Sequence, residues 1–243
     1  VNAVVRALAP PAAIGFDFDH TLGLDNGLEN IAFYRLAAEA GLAISERDRV
    51  WAVEIADALA RFRAGAIGLE EMVARFIARV GAPVDPMWAE RYREICYGLV
   101  DVLVTPIPGA RELLAALAQS GIHTAILTNG WSPLQNLKIH RALDYRRPIL
   151  VSGELGILKP AAAAFGKLVD VLDAPRERVW YVGDNPTVDV AGAHGAGLRS
   201  VWFDWEQVAY PAGAPPPDVR IGRLPDLLDL LRGAGGVAQN RSG

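Results

Sequence analysis

Apolar positions along this chain follow two kinds of pattern. The run Ala12-Ala13-Ile14-Gly15-Phe16-Asp17-Phe18 is too short for a typical helix and predicts a buried strand whose C-terminal end is acidic. From about Glu29 to Asp101 the period changes. Trp51, Ile55, Leu59 and Phe62 recur near the 3.6-residue repeat, as do Met72, Val73, Phe76, Ile77 and Val80, with charges between them, so this block predicts an all-helical module. Pro106-Ile107-Pro108-Gly109 ends it, and alternation begins: helix from about Ala110, strand Thr124 to Leu127, helix from Pro133, strand Ile149 to Ser152, helix from Ala161, strand Val179 to Val182, helix from Pro186, strand Ser200 to Phe203. Ala209 to Pro217 predicts an irregular loop, Leu224 to Leu231 a last short helix, and the residues after about Gly233 a disordered end. Strands alternating with helices specify an α/β fold with a mostly parallel sheet covered on both faces. Ligands of such sheets sit off the carboxyl ends of the strands.

Composition narrows the function classes. The 243 residues suffice for one large domain or one domain carrying an insertion. A formal charge of −4 leaves no basic footprint for a nucleic acid polymer or an anionic membrane surface. The single cysteine, Cys96, excludes an intramolecular disulfide, and the opening Val1-Asn2-Ala3-Val4-Val5-Arg6 lacks the pattern of a secretory leader, so a reducing, cytoplasmic setting is expected. No apolar run approaches the roughly 18 residues of a membrane span. Nothing in the pattern specifies an oligomeric state.

The candidate chemistry lies at the predicted strand ends. Asp17-Phe18-Asp19-His20-Thr21-Leu22 places two carboxylates two residues apart, on one face if the strand continues. Leu127-Thr128-Asn129-Gly130 leads into Trp131-Ser132-Pro133, where Ser132 is a candidate N-cap and Pro133 suits a first helical position; a hydroxyl, backbone N–H groups and a helix start together favour a phosphate dianion. Gly156-Ile157-Leu158-Lys159-Pro160 fixes one lysine, a compact point charge suited to phosphate, between an apolar run and a proline. Val182-Gly183-Asp184-Asn185-Pro186-Thr187-Val188-Asp189 ends another strand in acid and sets a second acid at the start of the next helix. Taken singly, each segment also reads as an ordinary turn, junction or solvated charge. Magnesium, an octahedral oxygen-binding cation that retains water, suits one or two such carboxylates together with a carbonyl and a phosphate.

In this order the segments resemble the four motifs of the haloacid dehalogenase superfamily, over nearly the whole chain. The stretch from Thr128 to Ala196 resembles its phosphatase-like branch, in which a helical (C1-type) cap is inserted after strand one. That resemblance implies a Rossmann-like core of residues 1–24 and 102–235 and a helical cap of 25–101; the disordered end read above leaves 236–243 as a tail. It implies Asp17 as nucleophile and Asp19 as general acid and base. Mg2+ would be held by the Asp17 carboxylate, the Asp19 carbonyl and the Asp184 carboxylate, with Asp189 and Asn185 supporting from behind. Thr128, Asn129 and Gly130 would bind phosphate, and Lys159 would neutralise phosphate and nucleophile.

The implied activity is hydrolysis of a small phosphorylated metabolite, with a pyrimidine nucleotide or phosphoglycolate as instances. A phosphomutase would use the same two aspartates. A 2-haloacid dehalogenase would not need Asp19, and a catalytically silent binding protein would not need the full motif set. His20 stands where many relatives carry a small or amide residue; tuning of proton transfer at Asp19 is one reading of it, and occupation of the turn toward the cap is the reading preferred. His123, His140 and His194 have no metal-ligand spacing. Gly192-Ala193-His194-Gly195-Ala196-Gly197 reads as a helix terminator rather than a nucleotide loop, and Cys96 as cap core. Phe33, Tyr34, Trp51 and Trp88 read as cap core before base-stacking platforms.

Overall fold

The computed structural model describes residues 9–233, so the expected disordered tail of 236–243 lies outside the described residues. Strand β1, Ala13–Phe16, is buried at every position, as a strand covered on both faces must be. It pairs in parallel with β4 (His123–Thr128) on one side and β6 (Val179–Gly183) on the other. With β5 (Ile149–Val151), β7 (Arg199–Phe203) and β8 (Val219–Ile221), the sheet runs β5-β4-β1-β6-β7-β8, all parallel. The chain leaves β1 toward β4 and β5, then returns to build β6 to β8 on the other flank. The carboxyl end of β1 is therefore the switch point, where an open α/β sheet forms its crevice.

Chain contacts divide the molecule into two units. Among the described residues, one comprises 9–24, 106–132 and 142–233, the other 25–105 and 133–141. The α/β unit contains the sheet with α5 (Ala110–Gln119), the single-turn α7 (Ser152–Leu155), α8 (Ala162–Leu172), α9 (Ala191–Gly195) and α10 (Leu224–Gly233). Its core joins Ala125, Leu127, Phe165, Leu168, Tyr181 and Ala193. Leu198 N–H closes back on Ala193 O across Gly197 at φ 76°, so this glycine terminates α9 as its sequence suggests.

The helical unit packs α1 (Leu28–Glu39) on α4 (Met87–Leu103) and α2 (Arg49–Arg63) on α3 (Leu69–Val80). Phe33 is fully buried between Phe76 and Tyr92, with ring centroids at 4.6 and 4.7 Å, and Trp51 meets Phe76 edge-on at 5.6 Å. Phe33 is core, as expected, whereas Trp51 is half-buried at the edge of that core with Arg79 over its ring. Tyr34 instead lines an open cleft of about 480 Å³ with Ile31, Arg35, Ala38 and Arg47, and Trp88 donates its indole N–H to Pro83 O. Cys96 is buried among these helices, which pushes its thiol above the usual range and leaves it unsuited as a nucleophile.

The structure departs from the linear reading in three places. The segment 133–141, most of α6 (Leu134–Leu143), groups with the helical unit, although it follows β4 in the βα alternation and lies outside 25–101. The helix expected from Pro186 begins as a wide π turn, Pro186–Val190, before α9. Strand β8 and the paired two-residue strands β2 (Gly23–Leu24) and β3 (Thr105–Pro106) were not anticipated, being too short to show a period. Among the described residues no helix is long and apolar enough to cross a membrane.

Candidate active site

Asp17 follows β1 directly and keeps the ladder, donating its N–H to Val182 O at 2.9 Å. The chain then turns sharply: the N–H groups of Thr21, Leu22 and Gly23 all point at Phe18 O, and His20 adopts φ 59°. This coil carries Asp19 past the strand end. His20 Nδ1 lies 3.3 Å from the exposed Glu206 carboxylate, so the imidazole occupies the turn at the surface.

Lys159 is the electrostatic centre. Its side chain is 2% exposed, and its Nζ donates to Asp17 Oδ1 at 2.8 Å, Asp189 Oδ1 at 2.8 Å and Tyr181 Oη at 3.0 Å. An ammonium has three donors, and all three are engaged. Tyr181 in turn donates to Leu127 O at 2.8 Å, which ties the lysine to the end of β4. Burial, which alone would lower the Lys159 pKa, is outweighed by Asp17 and Asp189, so the group stays charged. The lysine backbone is also held: Asn129 Oδ1 accepts from Lys159 N–H at 2.9 Å, and Asn129 Nδ2 donates to Lys159 O at 3.0 Å. Asn129 thus locks two expected site segments together.

Thr128 is buried at the end of β4, and Gly130 N–H donates to Ser152 Oγ at 3.0 Å. Gly130 O accepts from Gly153 N–H at 3.0 Å and from the Ser152 hydroxyl at 3.2 Å, so the loop after Thr128 is shaped by the turn that follows β5. On the other side of β1, Asp184 follows β6 and accepts the Thr21 hydroxyl at 3.4 Å. Asn185 caps the π turn: its Oδ1 accepts from Thr187 N–H, Val188 N–H and the Thr187 hydroxyl at 2.9–3.1 Å. Asp189 folds back so that Oδ2 accepts Asn185 N–H at 3.0 Å. Gly183 is required beneath it, since a Cβ there would sit 2.4 Å from Asp189 Cγ.

Oxygens of Asp17, Asp184 and Asp189 can all be drawn from within 4.8 Å of one another. Both Asp189 oxygens already have partners, Lys159 and Asn185 N–H, which leaves Asp17 and Asp184 as the carboxylates available to a cation. Burial foremost pushes Asp17 up to about 7 against the pull of Lys159. Burial, then Asp17 and Asp189, pushes Asp184 up to about 8. One ammonium therefore does not offset three carboxylates, and a hard, oxygen-binding divalent cation fits both the donor set and the charge imbalance. Asp19 lies at the same strand end, and its isolated bridge to Gly23 holds the turn.

Tyr181, Thr21 and Ser152 belong to this constellation and were missed from the sequence. Tyr181 sits inside an apolar strand run and reads as core, Thr21 as a turn residue, and Ser152 as the end of a strand. Only their partners, 22, 163 and 22 residues away in sequence, reveal them.

Residues 11–197 match the family model described as haloacid dehalogenase-like hydrolase. The chain is 32% identical to the pyrimidine 5'-nucleotidase YjjG of Escherichia coli over 154 residues, 59% of this chain and 68% of that protein. It is 36% identical to a phosphoserine phosphatase of Thermus thermophilus over 122 residues, a match that spans 49% of each. In fold it is similar to the HAD-hydrolase YfnB of Bacillus subtilis, solved bound to magnesium, with a TM-score of 0.73 at 21% identity over 90% of this chain and 97% of the other. With the parallel sheet, the acidic strand ends and a family match across more than half its length, the chain belongs to the haloacid dehalogenase-like hydrolases.

Proposed function

We propose that the protein is a Mg2+-dependent phosphatase that hydrolyses a small phosphorylated metabolite through a phosphorylated Asp17. The observation that carries this reading is the pairing of Asp17 with Lys159 at 2.8 Å at the switch point of the sheet, with Asp184 near enough to share a cation. Relatives named as phosphatase and nucleotidase support the reaction class.

Phosphoryl transfer spreads charge over the phosphate oxygens, and enzymes accelerate monoester hydrolysis by up to about 10²¹-fold, mainly by positioning and electrostatic stabilisation. Lys159 holds Asp17 in one orientation and offsets its charge, so the carboxylate is aimed while still ionisable. A Mg2+ ion held by the Asp17 and Asp184 carboxylates and the Asp19 carbonyl would supply charge neutralisation and orientation of the phosphate. Thr128 and the Asn129 backbone would bind the phosphate oxygens, and Gly130, whose N–H is engaged by Ser152 Oγ, would shape the loop that presents them. A carboxylate oxygen of Asp17 bonds to phosphorus as the ester oxygen leaves, and Asp19 gives that oxygen its proton. Asp19 then takes a proton from water, whose oxygen attacks the phosphorus and frees Asp17. Asp19 is the feature that favours phosphate ester over haloacid, because attack on a carbon–halogen bond has no leaving oxygen to protonate. The single cysteine accords with a cytoplasmic setting.

The test is phosphate release from an aryl phosphate with and without Mg2+, by native protein and by Asp17→Asn matched for folding by circular dichroism. Mg2+-dependent turnover lost in the variant is the expected result. Turnover that persists in Asp17→Asn rejects the nucleophile. No turnover on the aryl phosphate or on a panel of phosphorylated metabolites rejects the phosphatase reading, and metal-free halide release from a haloacid would replace it.

A further inference from the structure

We propose that Trp202 is a positioning residue that clamps the peptide plane between Asp184 and Asn185, and so sets both the Asp184 carboxylate and the Asp189–Lys159–Asp17 chain. The inference rests on the reading of Asp17 and Asp184 as the cation ligands.

Trp202 is 2% exposed on β7, in register with Gly183 on β6 and Arg220 on β8. Its indole Nε1–H donates to Asp184 O at 2.9 Å. The next group of that same peptide, Asn185 N–H, donates to Asp189 Oδ2 at 3.0 Å. A trans peptide is planar, with its C=O and N–H on opposite edges, so one rigid plate is gripped from both sides: by tryptophan on one edge and by Asp189 on the other. Asp189 Oδ1 accepts from Lys159, and Lys159 donates to Asp17. Rotation of the 184–185 plate would break the grip on Asp189 and swing the Asp184 carboxylate together.

The indole is itself immobilised. The Arg220 guanidinium lies 4.8 Å over its ring, and Tyr210 meets it edge-on at 4.7 Å and 71°. Arg220 is held by an ion pair to the buried Asp204, whose Oδ1 also accepts Val208 N–H at 2.9 Å. Tyr210 donates its hydroxyl to Pro215 O at 2.5 Å. Tryptophan offers one donor and no acceptor on a flat, stiff body. Pinning its face and its edge therefore fixes the direction of that donor, which a purely space-filling core residue would not need.

Isothermal titration with MgCl2, and steady-state assays over a range of Mg2+, test this on four proteins: wild type, Trp202→Phe, Arg220→Met and Trp180→Phe. Trp180 is 3% exposed on the adjacent strand and serves as a packing control of equal chemistry. Loss of an outer partner of a ligand typically costs about 10–100-fold in metal affinity. Trp202→Phe should raise the Mg2+ Kd and the apparent KM for Mg2+ within that range, while kcat at saturating Mg2+ changes much less. Arg220→Met, which leaves the N–H donor in place but unpins the ring, should give a smaller rise in the same direction and serves if Trp202→Phe does not fold. Trp180→Phe should lower the melting temperature without moving the Mg2+ Kd. A wild-type Kd in Trp202→Phe, or an equal rise in Trp180→Phe, overturns the clamp. Absence of Mg2+ binding by the wild type would overturn the cation reading instead. Amide exchange in metal-free protein separates the two failures: Asn185 N–H exchanges faster in Trp202→Phe if the clamp exists and at the wild-type rate if it does not.

Discussion

Lys159 directs its three ammonium protons at Asp17, Asp189 and Tyr181, which makes it a residue that organises acids as much as one that meets a substrate. Replacing it by methionine keeps the stem and removes the charge, leaving Asp17 without the ammonium that aims it. The expected outcome is a fall in kcat of about 10²–10³-fold, the scale seen when one pre-organised donor is lost from a charged transition state. Steady-state assay of Lys159→Met at matched folding checks this, and activity within a few-fold of wild type would remove Lys159 from the machinery. At this scale Asp17, Asp184 and Lys159 were legible because each stands at an abrupt change from apolar run to charge or proline. Tyr181 was not, since a tyrosine within Val-Trp-Tyr-Val carries no mark of whether its hydroxyl meets lysine or water.

Among the elements, the π turn Pro186–Val190 decides where Asp189 points. Asn185 starts it by accepting from two backbone N–H groups, and Asp189 closes it by accepting Asn185 N–H. Asn185→Ala removes that cap at a cost of about 0.5–2 kcal/mol. Because Asp189 rides on the same turn, the variant should lose activity as well as stability. Urea denaturation paired with the phosphatase assay would detect both, and a loss of stability alone would mean that Asp189 holds its place without the cap. The helical periods of α2 and α3 and the runs of β4, β6 and β7 were legible because each is long enough to show its repeat. Strand β8 has three residues after a proline-rich loop and exists only because β7 offers it a partner.

At the scale of the whole molecule, Lys138 and Asp25 join residues 113 apart in sequence within the helical unit, Nζ to Oδ2 at 3.1 Å with side chains 2% and 13% exposed. Burial alone would raise the Asp25 pKa, but Lys138, the Gly27 N–H and Arg63 outweigh it and hold the carboxyl below its usual value. A carboxyl depressed in the folded state stabilises the protein above its unfolded pKa of about 3.9, and that contribution is lost as pH falls through the lower folded value. Lys138→Met should destabilise the protein by about 3–5 kcal/mol at neutral pH, because it leaves a buried carboxylate without its partner. It should also flatten the acid limb of stability against pH. Chemical denaturation from pH 7 down to pH 3 reads both effects, and an unchanged midpoint would show the pair to be dispensable. The sequence by itself determined the alternation that makes a parallel sheet, the helical period of the inserted block and the acids at the strand ends, since these depend on residues near one another in the chain. Only the tertiary structure decided that 133–141 groups with the helical unit, that Asp189 already has both oxygens engaged, and that the Tyr181 hydroxyl meets Lys159 and the Trp202 indole meets Asp184 O. Those outcomes depend on where a hydroxyl, an indole N–H or an ammonium finds its partner, and packing between distant segments sets that.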